Sequence, residues 1–467
     1  MAFMNKHEKH TSNILDMTEG KAVSLLIRFS IPMLIGNIFQ QLYNLADSVI
    51  VGRLVGANAL AAIGASASVT FLFFALCNGV GTGGGIITSQ HFGKKDDAMV
   101  KKCITNTGYI MLIFPAVVGA IAYSLARPIL NLLKTPADIM PDSLAYIRIM
   151  CVGIVFVSIY NFISSMLRAL GDSKTPLYFL VFSCILNVGL DFLFVYYLKM
   201  SVRGAGIATA ISQFLSGIGC IIYAVRSNPY FKLRSEDFKI DRDLMQSIIH
   251  LGVPISLQFS MIAISCMALQ RVVNAYGAVA VAAFTATSRI EQIIHQPYQT
   301  LGATLSTYTG QNYGARQNRR IVDGYRKAMI MMAVFSLTML IVMQLYGKTF
   351  VRLFVEDAAV IEMGGLAVRI TSLFYGALGL IYMVRGVLNG LGDAFFALLN
   401  GIVEVIGRFT VPFMLTAIPA IGVWGIWWSV GVVWILSGFT AWLRYLSFRK
   451  KLFPEDTVLN PPDNGNS

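Results

Sequence analysis

Twelve stretches of mostly apolar residues follow one another along the chain. They lie near 28–53, 60–89, 103–126, 143–167, 177–198, 204–225, 247–275, 279–310, 326–346, 364–388, 395–417 and 422–447. A helix rises about 1.5 Å per residue and a bilayer's hydrocarbon core is about 30 Å thick, so about 20 such residues cross it. No other feature constrains the fold as much, because a segment in hydrocarbon must satisfy its own backbone hydrogen bonds. The chain is 56% hydrophobic and only 13% charged, against about 25% charged in a soluble domain. A water-soluble interior cannot hide that much apolar surface. Cytosolic enzymes, secreted disulfide scaffolds and disordered chains are excluded. The stretches holding Gly79 to Gly85 and Pro297 are expected to kink or break.

The net charge of +13 follows membrane topology. Basic residues gather on the side of both termini, at Lys94-Lys95, Lys101-Lys102, Arg316 to Lys327, Arg385 and Arg449 to Lys451, among others. Only Arg53, Arg127, Lys134, Arg148, Lys199, Arg203, Arg271, Lys348 and Arg352 fall on the other side. By the positive-inside rule both termini are cytoplasmic, and nucleic acid is not an expected partner. The first two dozen residues hold no apolar run with a cleavage site, so the first span is expected to insert as a mature segment. The six cysteines lie singly, without metal spacing, and read as small apolar side chains.

The chain repeats itself at a spacing of 221 residues, as from Gln90 to Gln311. Gln90-His91-Phe92-Gly93 returns as Gln311-Asn312-Tyr313-Gly314, Gly56-Ala57 as Gly277-Ala278, Arg148-Ile149 as Arg369-Ile370, and Leu170-Gly171-Asp172 as Leu391-Gly392-Asp393. One offset held across four separated motifs marks a duplication. The expected architecture is all-α and integral to the membrane, with twelve transmembrane helices in two six-helix lobes. Its parts are a cytoplasmic segment (1–24), an N-lobe (25–225), a linker (226–246), a C-lobe (247–448) and a cytoplasmic tail (449–467). Two matched lobes facing a central cavity are a transporter's plan. No Gly-x-x-x-x-Gly-Lys-Ser/Thr loop is present, so the energy must come from an ion gradient.

A charge in hydrocarbon costs roughly 2.5–3.5 kcal/mol on insertion scales. Asp47 and Asp191 both fall roughly 9–10 Å below the outer surface by helical rise. Asn187 shares a helical face with Asp191, Thr209 on the next span reaches the same level, and Asn44 precedes Asp47 by one turn. Carboxylates, an amide oxygen and a hydroxyl are hard donors suited to Na⁺, and two close carboxylates can also hold a proton. The bland alternative is a structural hydrogen bond or an Asp–Arg pair. Against it, the repeat places Ala268, Arg408 and Pro412 opposite Asp47, Asn187 and Asp191. In the second half Glu404 and Arg408, at i and i+4, are expected to pair. Glu291 is a possible substrate or proton contact, and His295 reads as a satisfied interior histidine.

These motifs resemble the multidrug and toxic compound extrusion (MATE) transporters. The resemblance rests on Asn44 to Arg53, Gln90 to Gly93, Arg168 to Asp172, Gln311 to Ala315 and Asn389 to Asp393, and it spans about residues 20 to 450. Within the family the chain is most similar to the prokaryotic branch of DNA-damage-inducible and staphylococcal-type multidrug pumps. The resemblance implies a V-shaped pair of lobes that exports lipophilic, often cationic drugs in exchange for Na⁺ or H⁺. The protein would be a monomer without a cofactor, in contact with membrane lipids of the cell membrane. It places the family's cation site on Asp47, Asn187, Asp191 and Thr209, and a bending proline at Pro32. Other branches use acids of the second lobe, which here has few unpaired ones. A lipid-linked or metabolite flippase of the same superfamily is the alternative, though it should carry more arginine in its cavity. The chain has Gly93-Lys94-Lys95-Asp96-Asp97 where a major facilitator loop would stand; Asp96-Asp97 is its only adjacent pair of aspartates, it sits among lysines, and no second acidic cluster complements it as an intramembrane prenyl-transferring enzyme would need.

Overall fold

The computed structural model describes residues 13–132 and 135–452. The outer parts of the expected terminal segments (1–12 and 453–467) and Lys134 lie outside the described residues. Thirteen α-helices carry the described chain: α1 (Ala22–Leu54), α2 (Ala57–Gly93), α3 (Asp97–Leu132), α4 (Met140–Ala169), α5 (Lys174–Asp191), α6 (Ser201–Ser227), α7 (Arg242–Asn274), α8 (Gly277–Gly314), α9 (Asn318–Arg352), α10 (Ala358–Ser372), α11 (Tyr375–Leu391), α12 (Ala394–Thr416) and α13 (Gly425–Leu452). No strand occurs among the described residues.

Ten of the helices are long and apolar enough by themselves to cross a membrane, and α10 with α11 makes an eleventh span bent by 50°. Helix α8 falls short of that apolarity, because Arg289, Glu291, Gln292, His295, Gln296 and Gln299 interrupt it. Exposed Leu, Ile, Val and Phe side chains stud the helices, such as Ile185 at 70% and Ile330 at 63%, as the surface of a lipid-solvated protein requires.

The expected breaks are corrected. Helix α2 runs unbroken through Gly79 to Gly85, and α8 through Pro297. The glycines serve close packing instead. A Cβ on Gly79 would stand 2.3 Å from the Ser256 backbone nitrogen, and one on Gly83 2.6 Å from that of Gly252. Helix α7 thus lies backbone to backbone on α2, and the Ser256 hydroxyl donates to the Leu76 carbonyl at 2.6 Å. The break falls at Leu373-Phe374, where the Phe374 ring fills the space left by Gly431 on α13.

The duplication reappears in the backbone. Left-handed residues stand at Gly56 and Gly277, at Lys95 and Arg316 (both φ 59°), and at Gly171 and Gly392 (φ 85° and 86°). After both Leu-Gly turns the Asp N–H bonds a leucine carbonyl, Leu167 or Leu388, at 2.9 Å. Each Asp side chain then accepts from the first turn of the next helix, Asp172 from Thr175 N–H and Asp393 from Phe396 N–H. That is the role of an N-cap.

Contacts group the chain into two compact units, one built on Ile27–Ala263 and the other on the residues from Ile264. In the first, α4 packs on α2, α3 and α6. Its cores include Val51, Tyr146, Met150, Val195 and Ala205 at one level and Ile104, Ile163, Leu167 and Cys220 at another. Residues 228–241 are strapped to α3: Thr105 and Tyr109 donate to the carbonyls of Asp237 and Phe238, and Asn106 receives the Asp241 N–H. In the second unit α8, α9, α11 and α13 pack together.

Candidate functional site

Helices α1, α5 and α6 of the first unit bring the four sequence-derived residues together. Asp47 on α1 and Asp191 on α5 hold their carboxyl groups within hydrogen-bonding reach of each other. The Asn187 amide, one turn before Asp191, donates to the Thr209 hydroxyl at 3.5 Å. Asn187 and Asp191 are wholly buried, whereas Asp47 and Thr209 are half-buried. One Asp47 oxygen, Oδ1, is closed off from solvent with no hydrogen-bond partner. Asp191 is the last α-helical residue before a π-helical segment, Phe192–Tyr197. Such widened turns store an extra residue and recur at functional sites.

Two tyrosines that sequence reasoning missed complete the surroundings. Tyr43, one turn before Asp47 on the same face, bonds Thr209 through its hydroxyl at 3.1 Å. Tyr146 of α4 lies within electrostatic range of both aspartates. The i, i+4 spacing that linked Asn187 to Asp191 also links Tyr43 to Asp47 and could have found it. Asn44 is exposed, and Pro32 is buried within an unbroken α1. Proline lacks an N–H, so the carbonyl one turn back loses its helical donor there.

The second unit departs from expectation in two places. Glu404 does not form its ion pair with Arg408. It pairs at 2.6 Å with Arg385, which comes across from α11, and Asn400 and Ser437 complete that buried network. Arg408 instead donates to the Cys266 sulfur at 3.1 Å. An i, i+4 spacing makes a pair possible, but the Glu404 carboxylate is taken by the buried Arg385 guanidinium, which also donates to Asn400. His295 is not satisfied either, since its Nε2 is buried without a partner, as is Oε1 of Glu291.

Two facing carboxyls among neutral oxygens can exchange a small cation. Two bare carboxylates within hydrogen-bonding reach repel by a few kcal/mol at an effective dielectric constant of about 20, and a shared proton or a monovalent cation relieves such a repulsion. Among the described residues no cluster of three or more His, Cys, Asp or Glu could hold a metal ion. Two homologous halves built of membrane-spanning helices are a plan that many secondary transporters share. The family model MatE matches residues 32–193 and 254–413, one match in each half. The chain belongs to that family. It is 30% identical to the probable multidrug resistance protein YpnP of Bacillus subtilis, covering 94% of this chain and 99% of that protein. It is 23% identical to the multidrug export protein MepA of Staphylococcus haemolyticus over 93% and 95% of the two chains. The fold matches a MOP-superfamily transporter from Pyrococcus furiosus with a TM-score of 0.88 at 23% identity, over 95% of this chain and 99% of that one.

Proposed function

We propose that the chain is a cation-coupled efflux antiporter that exports lipophilic, often cationic compounds by alternating access. The facing Asp47 and Asp191 carboxyls carry this reading. The names of the similar proteins, a multidrug resistance protein and a multidrug export protein, support the cargo. Na⁺ or H⁺ is the co-substrate, held by Asp47, Asn187, Asp191 and Thr209, with the Tyr43 hydroxyl fixing Thr209. An ion between the carboxyls joins α1 to α5, and its departure lets α1 bend at Pro32. Coupling requires the ion to bind one state better than the other, since an ion of equal affinity shifts nothing. Asn44 and Glu291 are proposed contacts for the compound or a proton. The protein works as a monomer in the cell membrane, both termini cytoplasmic, with the N-lobe at 25–225 and the C-lobe at 247–448.

The test is transport in liposomes. A fluorescent cationic dye should move under an imposed Na⁺ gradient or an imposed pH gradient, and Asp191→Asn should lose that movement. Equal gradient-driven movement by wild type and Asp191→Asn would sink the assignment. No movement under either gradient would turn the cargo reading toward a lipid or metabolite.

A further inference from the structure

A pocket of the first unit lies where α1 and α5 begin, at the end of the unit that carries the N-terminal segment. Asn13 and Leu15 of that segment, Arg28 of α1, and Gly171, Ser173 and Lys174 of the α4–α5 turn line it. It holds about 410 Å³ and opens to solvent. The turn is closed by the protein itself: Asp172 accepts the Lys174 and Thr175 N–H groups and the Thr175 hydroxyl. The start of α5 is thereby satisfied, and the pocket keeps side-chain donors that the fold does not use. Ser173 is only 5% exposed, yet its hydroxyl caps no N–H and has no partner among the described residues. A buried hydroxyl left in that state costs stability. Arg28 and Lys174 form no ion pair among the described residues. The carboxylate within electrostatic range of Lys174 is Asp172, already bonded three times.

The repeat shows that the turn does not need these donors. The second unit keeps Leu391-Gly392-Asp393 but has Ala394 and Phe395 where the first has Ser173 and Lys174. Ile249 stands for Arg28, or His250 in the register that matches Pro32 with Pro254. There Asp393 is closed by the protein's own cation, Arg444, at 2.7 Å. In the first unit two cations and a hydroxyl are left over, and together they suit an anion with several acceptor oxygens. Arg28 and Lys174 also stand within the first two turns of their spans, the level of lipid headgroups. One and two turns further in, Ile31 and Ile35 on α1 and Tyr178 and Phe182 on α5 are exposed, on the same helix faces as the two cations. A soluble phosphate has no use for that apolar surface, whereas acyl chains cover it. Basic pockets at the cytoplasmic ends of spans take anionic headgroups.

We propose that the pocket of Arg28, Ser173 and Lys174 binds the phosphate of an anionic phospholipid. The guanidinium donates two parallel N–H groups to phosphate oxygens, and the Lys174 ammonium and the Ser173 hydroxyl donate to the others. The acyl chains run down the exposed faces of α1 and α5. A lipid held this way ties together the starts of α1 and α5, the helices that carry Asp47 and Asp191 further along. The site asks nothing of the transport reading, and its test needs no cargo.

That test is native mass spectrometry of the detergent-purified full chain titrated with phosphatidylglycerol, and separately with phosphatidylcholine. Wild type should bind the first more tightly. The preference should fall about 5-fold in Lys174→Phe and roughly 25-fold in Arg28→Gln/Lys174→Phe, since one basic residue beside an anionic lipid is worth a factor of about 5. Ser173→Ala should weaken it too. Lys174→Phe and Ser173→Ala install side chains that the second unit carries at the same turn, so both should fold and melt with wild type when no lipid is added. Lys94→Gln/Lys101→Gln removes the same charge outside the pocket and should keep the preference. Equal binding of the two lipids by wild type overturns the proposal, as does a preference that survives in Arg28→Gln/Lys174→Phe or falls equally in Lys94→Gln/Lys101→Gln. Glycerol 3-phosphate, a headgroup without chains, should compete weakly. Displacement of phosphatidylglycerol by an equal concentration of it would make the ligand a soluble phosphate and refute the lipid.

Discussion

The buried network around Arg385 and Glu404 supports a prediction that separates tertiary pairing from local spacing. Arg385 is 8% exposed and Glu404 5% exposed. The guanidinium gives Nη2 to Glu404 Oε1 at 2.6 Å and also to Asn400, while Ser437 donates to the same Glu404 oxygen at 3.3 Å. Glu404→Gln keeps the shape but leaves a buried guanidinium without its counter-charge, which costs about 3–5 kcal/mol. At about 2–4 °C per kcal/mol for a unit of this size, the melting temperature should fall by roughly 6–20 °C. Arg385→Met should cost a similar amount. The double variant Arg385→Met/Glu404→Leu should recover most of the loss, because an apolar pair replaces a buried ion pair at little cost. Arg408→Met should have the smaller effect, since Arg408 donates to Cys266 and not to Glu404. The assay is thermal unfolding of the detergent-purified chain, read by tryptophan fluorescence and by the monodisperse fraction after heating. Glu404→Gln melting with wild type, or Arg408→Met falling further than Arg385→Met, would refute the reasoning.

Gly171→Ala should lower the yield of folded protein sharply. Its φ of 85° costs an L-residue about 1–2 kcal/mol, and the new Cβ would stand 2.1 Å from the Leu15 carbonyl oxygen. Gly79→Ala should destabilise by forcing α2 from α7, whereas Gly64→Ala, with nothing within 4 Å of its Cβ, should be neutral or stabilising by up to about 1 kcal/mol. Comparative melting curves check both, and equal losses at Gly79 and Gly64 would contradict the packing. Tyr43→Phe removes one of the hydrogen bonds to the Thr209 hydroxyl and should raise the Na⁺ or H⁺ concentration for half-maximal dye movement by roughly 5- to 10-fold, the worth of one hydrogen bond of about 1 kcal/mol. An unchanged half-maximal concentration would remove Tyr43 from the site.

Helical rise alone grouped Asp47, Asn187, Asp191 and Thr209, because depth in a membrane is a one-dimensional quantity that counting residues recovers. Pairing across helices is not one-dimensional. Glu404 and Arg408 share a helix face, so their spacing named a pair, while the actual partner, Arg385, comes from another helix and carries no local mark. The helix breaks misled for a related reason. Gly79 and Gly83 look like weak points, yet their missing side chains admit the backbone of α7. The true break at Leu373-Phe374 holds neither glycine nor proline, and its room lies on α13, at Gly431. Residues that act on their own helix were legible, and residues that act by making space for another helix were not.

The two halves agree where the backbone turns and differ where polar groups are buried. Left-handed turns recur at Gly56 and Gly277, Lys95 and Arg316, and Gly171 and Gly392. The interiors do not recur: Ala268, Arg408, Pro412 and Val430 stand where the first half has Asp47, Asn187, Asp191 and Thr209, and Thr70 and Phe74 stand where the second has Glu291 and His295. Turns fix where each span begins and ends, so a change there would disturb every helix that follows. A buried polar group disturbs mainly its own surroundings and persists at a cost in stability, which points to use and not to support.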